Sequence, residues 1–342
     1  MIIDFRSDTV TRPSREMLEF MCSAEVGDAV FGDDPSVLDL ESYAADLFGM
    51  DAGLFCPSGT MSNQIAIKAH TKPGDQLICD HTAHVYFYEG GGAALHSGIS
   101  CRLLYGNGGR FSAGQAEEVI NPDDPHLPRT KLVSIENTSN KGGGTYWDFS
   151  EIEKIKKICA RHGLALHLDG ARLFNALIET PESPSHYGKL FDSISICLSK
   201  GLGAPMGSLL LGGSDFIHEA ARMRKAFGGG MRQAGFMAAA GLFALRNNTD
   251  RLSVDHGNAK LLSDAFADSG LCTRVSPAST NIVMVDFETP ETLRQVIEKF
   301  ASRHILLAPM GRTRLRLVTH LDITEQMMDK ALNIIKELSD GG

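Results

Sequence analysis

The chain has 342 residues, of which 43% are hydrophobic and 35 are glycine, enough apolar material for one large domain and a smaller one. A net charge of −9 argues against a nucleic-acid partner, which needs clustered Lys and Arg. Charges within the first twenty residues, and the lack of any uncharged run of eighteen apolar residues, speak against a signal peptide or a membrane span, so the cytoplasm is the expected location. Seven scattered cysteines, never in C-x-x-C spacing, suit reduced core thiols better than a disulfide or zinc framework.

Apolar runs alternate with helical patterns from the first third onward, the mark of parallel βαβ units. The expected strands include Gln76–Asp80, Lys131–Glu136, Leu164–Leu168, Ile194–Leu198 and Ser208–Leu211. A helix is expected over Ser150–Arg161, opened by a capping box, Ser150-x-x-Glu153. After Asn248 the pattern changes to helices and paired strands: Leu252–Ala267, Thr280–Phe287, Pro290–Arg303, Ile305–Ala308, Arg314–Thr319 and Thr324–Leu338. The expected division is therefore 1–248 and 249–342.

Two strand ends deliver charge. The run Ile194–Leu198 breaks into Ser199-Lys200-Gly201-Leu202-Gly203-Ala204-Pro205, and Leu164–Leu168 ends in Asp169-Gly170-Ala171-Arg172. Open α/β sheets bind ligands at the carboxyl ends of their strands. A lysine able to form a Schiff base and a carboxylate for a ring nitrogen are what pyridoxal 5′-phosphate (PLP) requires. Each residue also has an ordinary reading: Lys200 as a surface lysine, Asp169 as a helix cap or Asp-Gly turn. Arg172 has a planar fork suited to a substrate carboxylate. The stretch Cys56-Pro57-Ser58-Gly59-Thr60-Met61-Ser62-Asn63 leads into a helical run and offers a phosphate its hydroxyls, amides and helix dipole, although a plain N-cap looks much the same. His84 follows the strand Gln76–Asp80, where an imidazole can stack on a ring or move a proton. Arg316 alternates with leucines, as in any half-exposed strand. No G-x-G-x-x-G and no His-Glu-x-x-His occurs, which disfavours a dinucleotide cofactor and a catalytic metal.

Taken together, Ser7-Asp8-Thr9-Val10-Thr11, Pro57–Asn63, Glu136-Asn137-Thr138, His167–Arg172, Ser199–Pro205, Gly228–Gly235 and Arg316–His320 resemble the low-specificity L-threonine aldolases. The resemblance implies a fold-type-I PLP enzyme: a large domain with a mostly parallel seven-stranded sheet, a small carboxy-terminal α/β domain, and homotetramers of close dimers that share active sites. By motif match Lys200 would bind the cofactor, Asp169 its ring nitrogen, and Ser58, Gly59 and Thr60 its phosphate, with His84 stacked on the ring. Arg172 falls at the substrate carboxylate beside the cofactor, together with Ser7 and Arg316. Arg232, and after it Lys225, would reach the phosphate region from a neighbouring subunit, and His126 would lie near the substrate hydroxyl. Phe31 stands where relatives often carry tyrosine, leaving Tyr88 and Tyr86 as the available phenols. The implied reaction is retro-aldol cleavage of threonine or allo-threonine to glycine and acetaldehyde. A β-eliminating lyase or an aminotransferase would use the same Lys200 and Asp169. A ligand-binding regulator on this fold finds no appended DNA-binding segment in its support.

Overall fold

The computed structural model describes residues 2–340. Thirteen strands occur among them: β1 (Ile3–Asp4), β2 (Ala52–Cys56), β3 (Gln76–Asp80), β4 (Ser100–Leu104), β5 (Thr130–Glu136), β6 (Ala165–Asp169), β7 (Ser193–Cys197), β8 (Ser208–Gly212), β9 (Arg274–Ser276), β10 (Ile282–Asp286), β11 (Ile305–Leu306), β12 (Ala308–Pro309) and β13 (Arg314–Val318). Seven of them form one sheet in the order β2-β8-β7-β6-β5-β3-β4. Strands β4, β3, β5, β6 and β7 run parallel, while β8 is antiparallel to both of its neighbours. Strands β2, β3, β5, β6 and β7 therefore all end at the same edge. This is the mostly parallel seven-stranded sheet of the fold-type-I enzymes that the sequence leads one to expect.

Burial on both faces explains the apolar runs. Every residue of β3, β7 and β8 is buried, as a sheet covered by helices on both sides demands. The edge strand β4 alternates exposed and covered residues. The first core joins β5, β6, β7 and β8 to the helices Pro35–Phe48, Phe149–His162 and Gly235–Asn247, through residues such as Phe48, Ile155, Leu168, Ile196 and Leu242. The helix Phe149–His162 is capped by Asp148, whose side chain accepts from the Ser150 amide at 2.9 Å. The expected Ser150 capping box does not form: the cap sits two residues earlier, at Asp148, and reciprocal boxes occur at Ser112 with Gln115 and at Ser183 with His186.

A second sheet, β12-β13-β10-β9, is antiparallel throughout. Its core includes Phe266, Val285, Phe300, Leu317 and Ile335 together with Ile3 and Phe5 from the start of the chain. That amino-terminal segment pairs β1 with β11 and accepts the Val318 amide on the Phe5 carbonyl at 2.9 Å. It then crosses to the first sheet, where Thr11 Oγ1 donates to the Lys200 carbonyl at 2.9 Å. The expected boundary near residue 248 falls between the helices Gly235–Asn247 and Leu252–Asp268.

Candidate active site

A cavity of about 550 Å³ opens at the carboxyl edge of the large sheet. Its lining includes Ser7, His84, Tyr88, Arg172, Lys200 and Arg316, six residues drawn from five separate stretches of sequence. Topology brings them together: Lys200 follows β7, Arg172 follows β6, His84 follows β3, and Arg316 lies on β13 of the second sheet.

The strand-end loops are pinned by ladder bonds that continue past the strands. The Gly170 amide donates to the Ser195 carbonyl at 2.8 Å and the Asn137 amide to the Asp169 carbonyl at 3.0 Å. The turn after Lys200 closes through Gly203 N–H to the Lys200 carbonyl at 2.8 Å, with Gly203 at φ +81°, a conformation that suits glycine. Lys200 Nζ points back to Cys197 Sγ at 3.4 Å. The start of the helix Gly59–His70 sits against the same strand end. A Cβ on Gly59 would collide with Cys197 Sγ, so only glycine lets the helix approach this closely. Ser58 caps that helix, accepting from the Met61 amide at 3.2 Å, and Ser58 and Thr60 are exposed at its open amino terminus.

Beneath the cavity Asp169 is buried. One oxygen accepts from Asn63 Nδ2 at 3.0 Å and the other from the Ala171 amide at 3.2 Å. Single ligand atoms of His84, Glu89 and Asp169 lie within 4.8 Å of one another. His84 Nδ1 meets Glu89 Oε1 at 2.9 Å, which fixes the ring with Nε2 as the unbonded nitrogen. Burial lowers the pKa of this imidazole, but the Glu89 hydrogen bond and the charges of Asp169 and Glu89 outweigh it, so the net shift is upward. Glu136 holds the His84 amide at 2.9 Å and the Asn140 amide at 2.8 Å. Burial, reinforced by the nearby Asp169 charge, pushes its carboxyl up to about 7.

The arginines are engaged on one side. Arg172 donates from Nε and Nη2 to Asp8, both at 2.7 Å, leaving Nη1 and the second hydrogen of Nη2 for a ligand. Against the cost of burial, the Arg172 guanidinium holds the Asp8 carboxyl down at about 2. Asp8 therefore occupies one edge of the guanidinium, and the two-pronged substrate grip expected of Arg172 falls to its other edge, Nη1 with the second hydrogen of Nη2. Arg316 donates to Asn140 Oδ1 at 2.7 Å and to the Arg6 carbonyl at 3.0 Å.

Ser58, Gly59, Thr60 and Asp169 border the site without lining this cavity, whereas four other expected residues stand apart from it in the single chain. The His126 side chain is 89% exposed and bonds to its neighbour Asp124. Phe31 is 80% exposed with the Arg232 guanidinium 5.7 Å from its ring centre, and Arg232 pairs with Asp28 at 2.8 Å. Lys225 is exposed and lines a different cavity with Val30 and Gly230. Sequence reasoning misses Asp8, Asn63, Glu89 and Asn140. Asp8 and Asn63 lie inside motifs already quoted, and Glu89 stands five residues after His84, but nothing in their spacing says which side chain each would bond.

The site fits PLP on its own chemistry. Asp169 is a buried carboxylate that accepts only from neutral donors, a costly arrangement unless a cationic N–H completes it, and a pyridinium does that. The open helix start suits the phosphate, and Lys200 supplies the amine.

Comparison with known proteins agrees. Residues 4–290 match the model of the beta-eliminating lyase family. The low specificity L-threonine aldolase of Escherichia coli K12 is 41% identical over 330 residues, covering 96% of each chain. The chain belongs to the low-specificity L-threonine aldolase family. Among solved structures, the threonine aldolase of Leishmania major shares the fold with a TM-score of 0.84 at 22% identity, covering 98% of this chain and 99% of that one. A variant serine palmitoyltransferase of S. paucimobilis with bound PLP and myriocin has a TM-score of 0.74 at 16% identity, covering 99% and 87%. Members of this family are lyases, and the site geometry is consistent with that class.

Proposed function

We propose that the protein is a PLP-dependent aldehyde-lyase that cleaves L-threonine and L-allo-threonine to glycine and acetaldehyde. The observation that carries this reading is one cavity in which Lys200, Arg172, Arg316, Ser7 and His84 face a common space above Asp169. When bound, PLP supplies a protonated ring that accepts the electron pair released as the Cα–Cβ bond breaks.

The chain's own groups do the rest. Lys200 would hold the cofactor by its amine. Asp169 keeps the ring nitrogen protonated, and Ser58, Gly59 and Thr60 hold the phosphate. Arg172 through its Nη1/Nη2 edge, Arg316 and Ser7 would grip the substrate carboxylate and so fix the orientation of the Cα–Cβ bond. His84 would stack on the ring, and its Nε2 is free to take the β-hydroxyl proton, with Glu89 accepting from Nδ1 to stabilise the imidazolium that forms. Tyr88 closes the mouth beside His84, their rings 5.6 Å apart.

Phe31, Lys225 and Arg232 complete the site of a neighbouring subunit in a homotetramer of close dimers, and His126 approaches the substrate hydroxyl by the same route. The division at residue 248 separates a large domain, whose amino-terminal arm packs Ile3 and Phe5 into the second core, from a small one, and the working location is the cytoplasm. Among the described residues no helix is long and apolar enough to cross a membrane. The family description favours a β-eliminating lyase as the second reading, since it would draw on the same Lys200 and Asp169.

Products separate the two. Threonine added to the purified protein should perturb the visible band of bound PLP and release acetaldehyde and glycine; ammonia with a keto acid would establish the second reading instead. Lys200→Ala should abolish both the band and turnover, and a variant of normal activity would overturn the assignment.

A further inference from the structure

Behind the site runs a line of polar groups that none of the assigned roles uses. Asn63 Nδ2 donates one hydrogen to Asp169 Oδ2 at 3.0 Å and the other to Glu89 Oε1 at 2.8 Å. Both amide hydrogens thus face carboxylates, so Oδ1 must face the remaining neighbour, His167 Nε2, at 3.2 Å. That nitrogen must carry a proton to bond an amide oxygen. His167 is fully buried, and burial drives its imidazole down to about 3, so the ring is neutral and Nδ1 is an acceptor. Ser193 Oγ, 2.8 Å from Nδ1, then spends its only hydrogen there. His70 Nε2, 2.8 Å from the same oxygen, is left as donor. The direction of every bond follows from the first. Strand register supports it: His167 and Ser193 are paired neighbours on β6 and β7, while His70 and Asn63 lie on the one helix that packs across both strands.

We infer that His70, Ser193, His167 and Asn63 form a one-way hydrogen-bond line that locks the Asn63 amide with both hydrogens toward Asp169 and Glu89. Asn63 and His167 are positioning residues. Without the His167 proton, the buried Asn63 oxygen loses its donor and the amide its third anchor, so its two hydrogens hold less firmly the group that faces the cofactor ring and the group that orients His84. One amide thereby sets two acceptors of opposite duty. The inference rests on the reading of Asp169 as the ring-nitrogen partner and adds what holds that carboxylate in register.

The test compares two substitutions at one buried position. His167→Gln places an amide N–H near the former Nε2 and keeps the bond to Asn63, whereas His167→Leu keeps the bulk and removes the donor. Each protein, and the wild type, is stripped of cofactor, titrated with PLP, and followed by the visible band across pH, with thermal midpoints recorded. His167→Leu should weaken PLP binding about tenfold, the worth of one lost hydrogen bond to a buried group, and displace the pH dependence of the band. His167→Gln should stay within about threefold of the wild type on the same scale. If the two variants bind PLP equally and share one pH profile, whether both match the wild type or both fall, the line has no positioning role and the inference is overturned. Asn63→Ala gives a second check, since it should match His167→Leu in cofactor affinity; an Asn63→Ala protein with wild-type affinity also overturns it. The aldolase reading is judged separately, by acetaldehyde release from threonine in the wild type.

Discussion

Replacing Asp8 by asparagine tests the most consequential pairing in the site. Asp8 is fully buried, bonded twice to Arg172 and once to Asn281 Nδ2 at 3.3 Å. Its carboxyl titrates at about 2 instead of the ordinary 3.8. At about 1.4 kcal/mol per pKa unit, that depression corresponds to about 2 kcal/mol of folding stability. Because the folded pKa lies below the unfolded one, the contribution is complete above pH 3.8 and disappears as the pH falls through about 2. The Asp8→Asn side chain keeps an oxygen for one Arg172 N–H but no charge, so the loss should stay near about 2 kcal/mol and below the roughly 3–5 kcal/mol of a fully broken buried pair. Urea unfolding at neutral pH, followed through the buried Trp147, should show a lower midpoint, and the gap from the wild type should close toward pH 2. Arg172 would also lose its anchor, so the KM for threonine should rise while the visible band of bound PLP remains. A variant with wild-type stability at neutral pH and an unchanged KM would refute the reasoning.

The remaining predictions concern the proton and the carboxylate. His84→Asn should lower the retro-aldol rate at least about tenfold, and a smaller loss would remove His84 as the base. His126→Asn, assayed beside it, reports whether a neighbouring subunit's histidine shares the work, since in the single chain this ring stands outside the cavity. Glu89→Gln keeps an acceptor for His84 Nδ1–H but removes the carboxylate charge that helps raise the His84 pKa, so the acid limb of the kcat profile should move to lower pH, where the wild-type base is already protonated; a limb that stays in place assigns the titration to another group. Arg316→Ala should raise the KM for threonine strongly with PLP still bound, because this side chain reaches the cavity from β13 and touches no cofactor-bearing loop other than through Asn140. Mixing Lys200→Ala with Arg232→Ala protein should restore part of the activity if subunits share sites.

Much of this is legible in the sequence alone. Buried parallel strands betray themselves by unbroken apolar runs, and the strands carrying Asp169 and Lys200 lie within a residue of their expected positions. Strand β2 does not stand out, since Ala52-Gly53 at its start dilutes a run of only five residues, and β4 is an edge strand with a polar face. Side-chain partners are the harder matter. Arg172 lines the cavity as its motif implies, yet one edge of its guanidinium is held by Asp8, 164 positions earlier in sequence, a pairing that no local pattern encodes. His167 presents as an ordinary strand residue because its partners lie on a neighbouring strand and a crossing helix. Phe31, Lys225, Arg232 and His126 fall outside the cavity for a different reason: their motifs match, but one chain does not bring them to Lys200.

The opening dozen residues knit β11 to the loop of Lys200 by way of Ile3, Asp8 and Thr11. For anyone preparing the protein, that makes the front of the chain part of the machinery and not a handle. An affinity tag fused ahead of Ile3 would tug on the catalytic loop through this tether, whereas one placed after the helix Glu325–Asp340 would leave it slack. Proteolytic trimming as far as Thr9 would cost the enzyme Ser7 and Asp8 at a stroke, leaving the buried Arg172 without its carboxylate partner even though no apolar side chain of the large-sheet core would be lost.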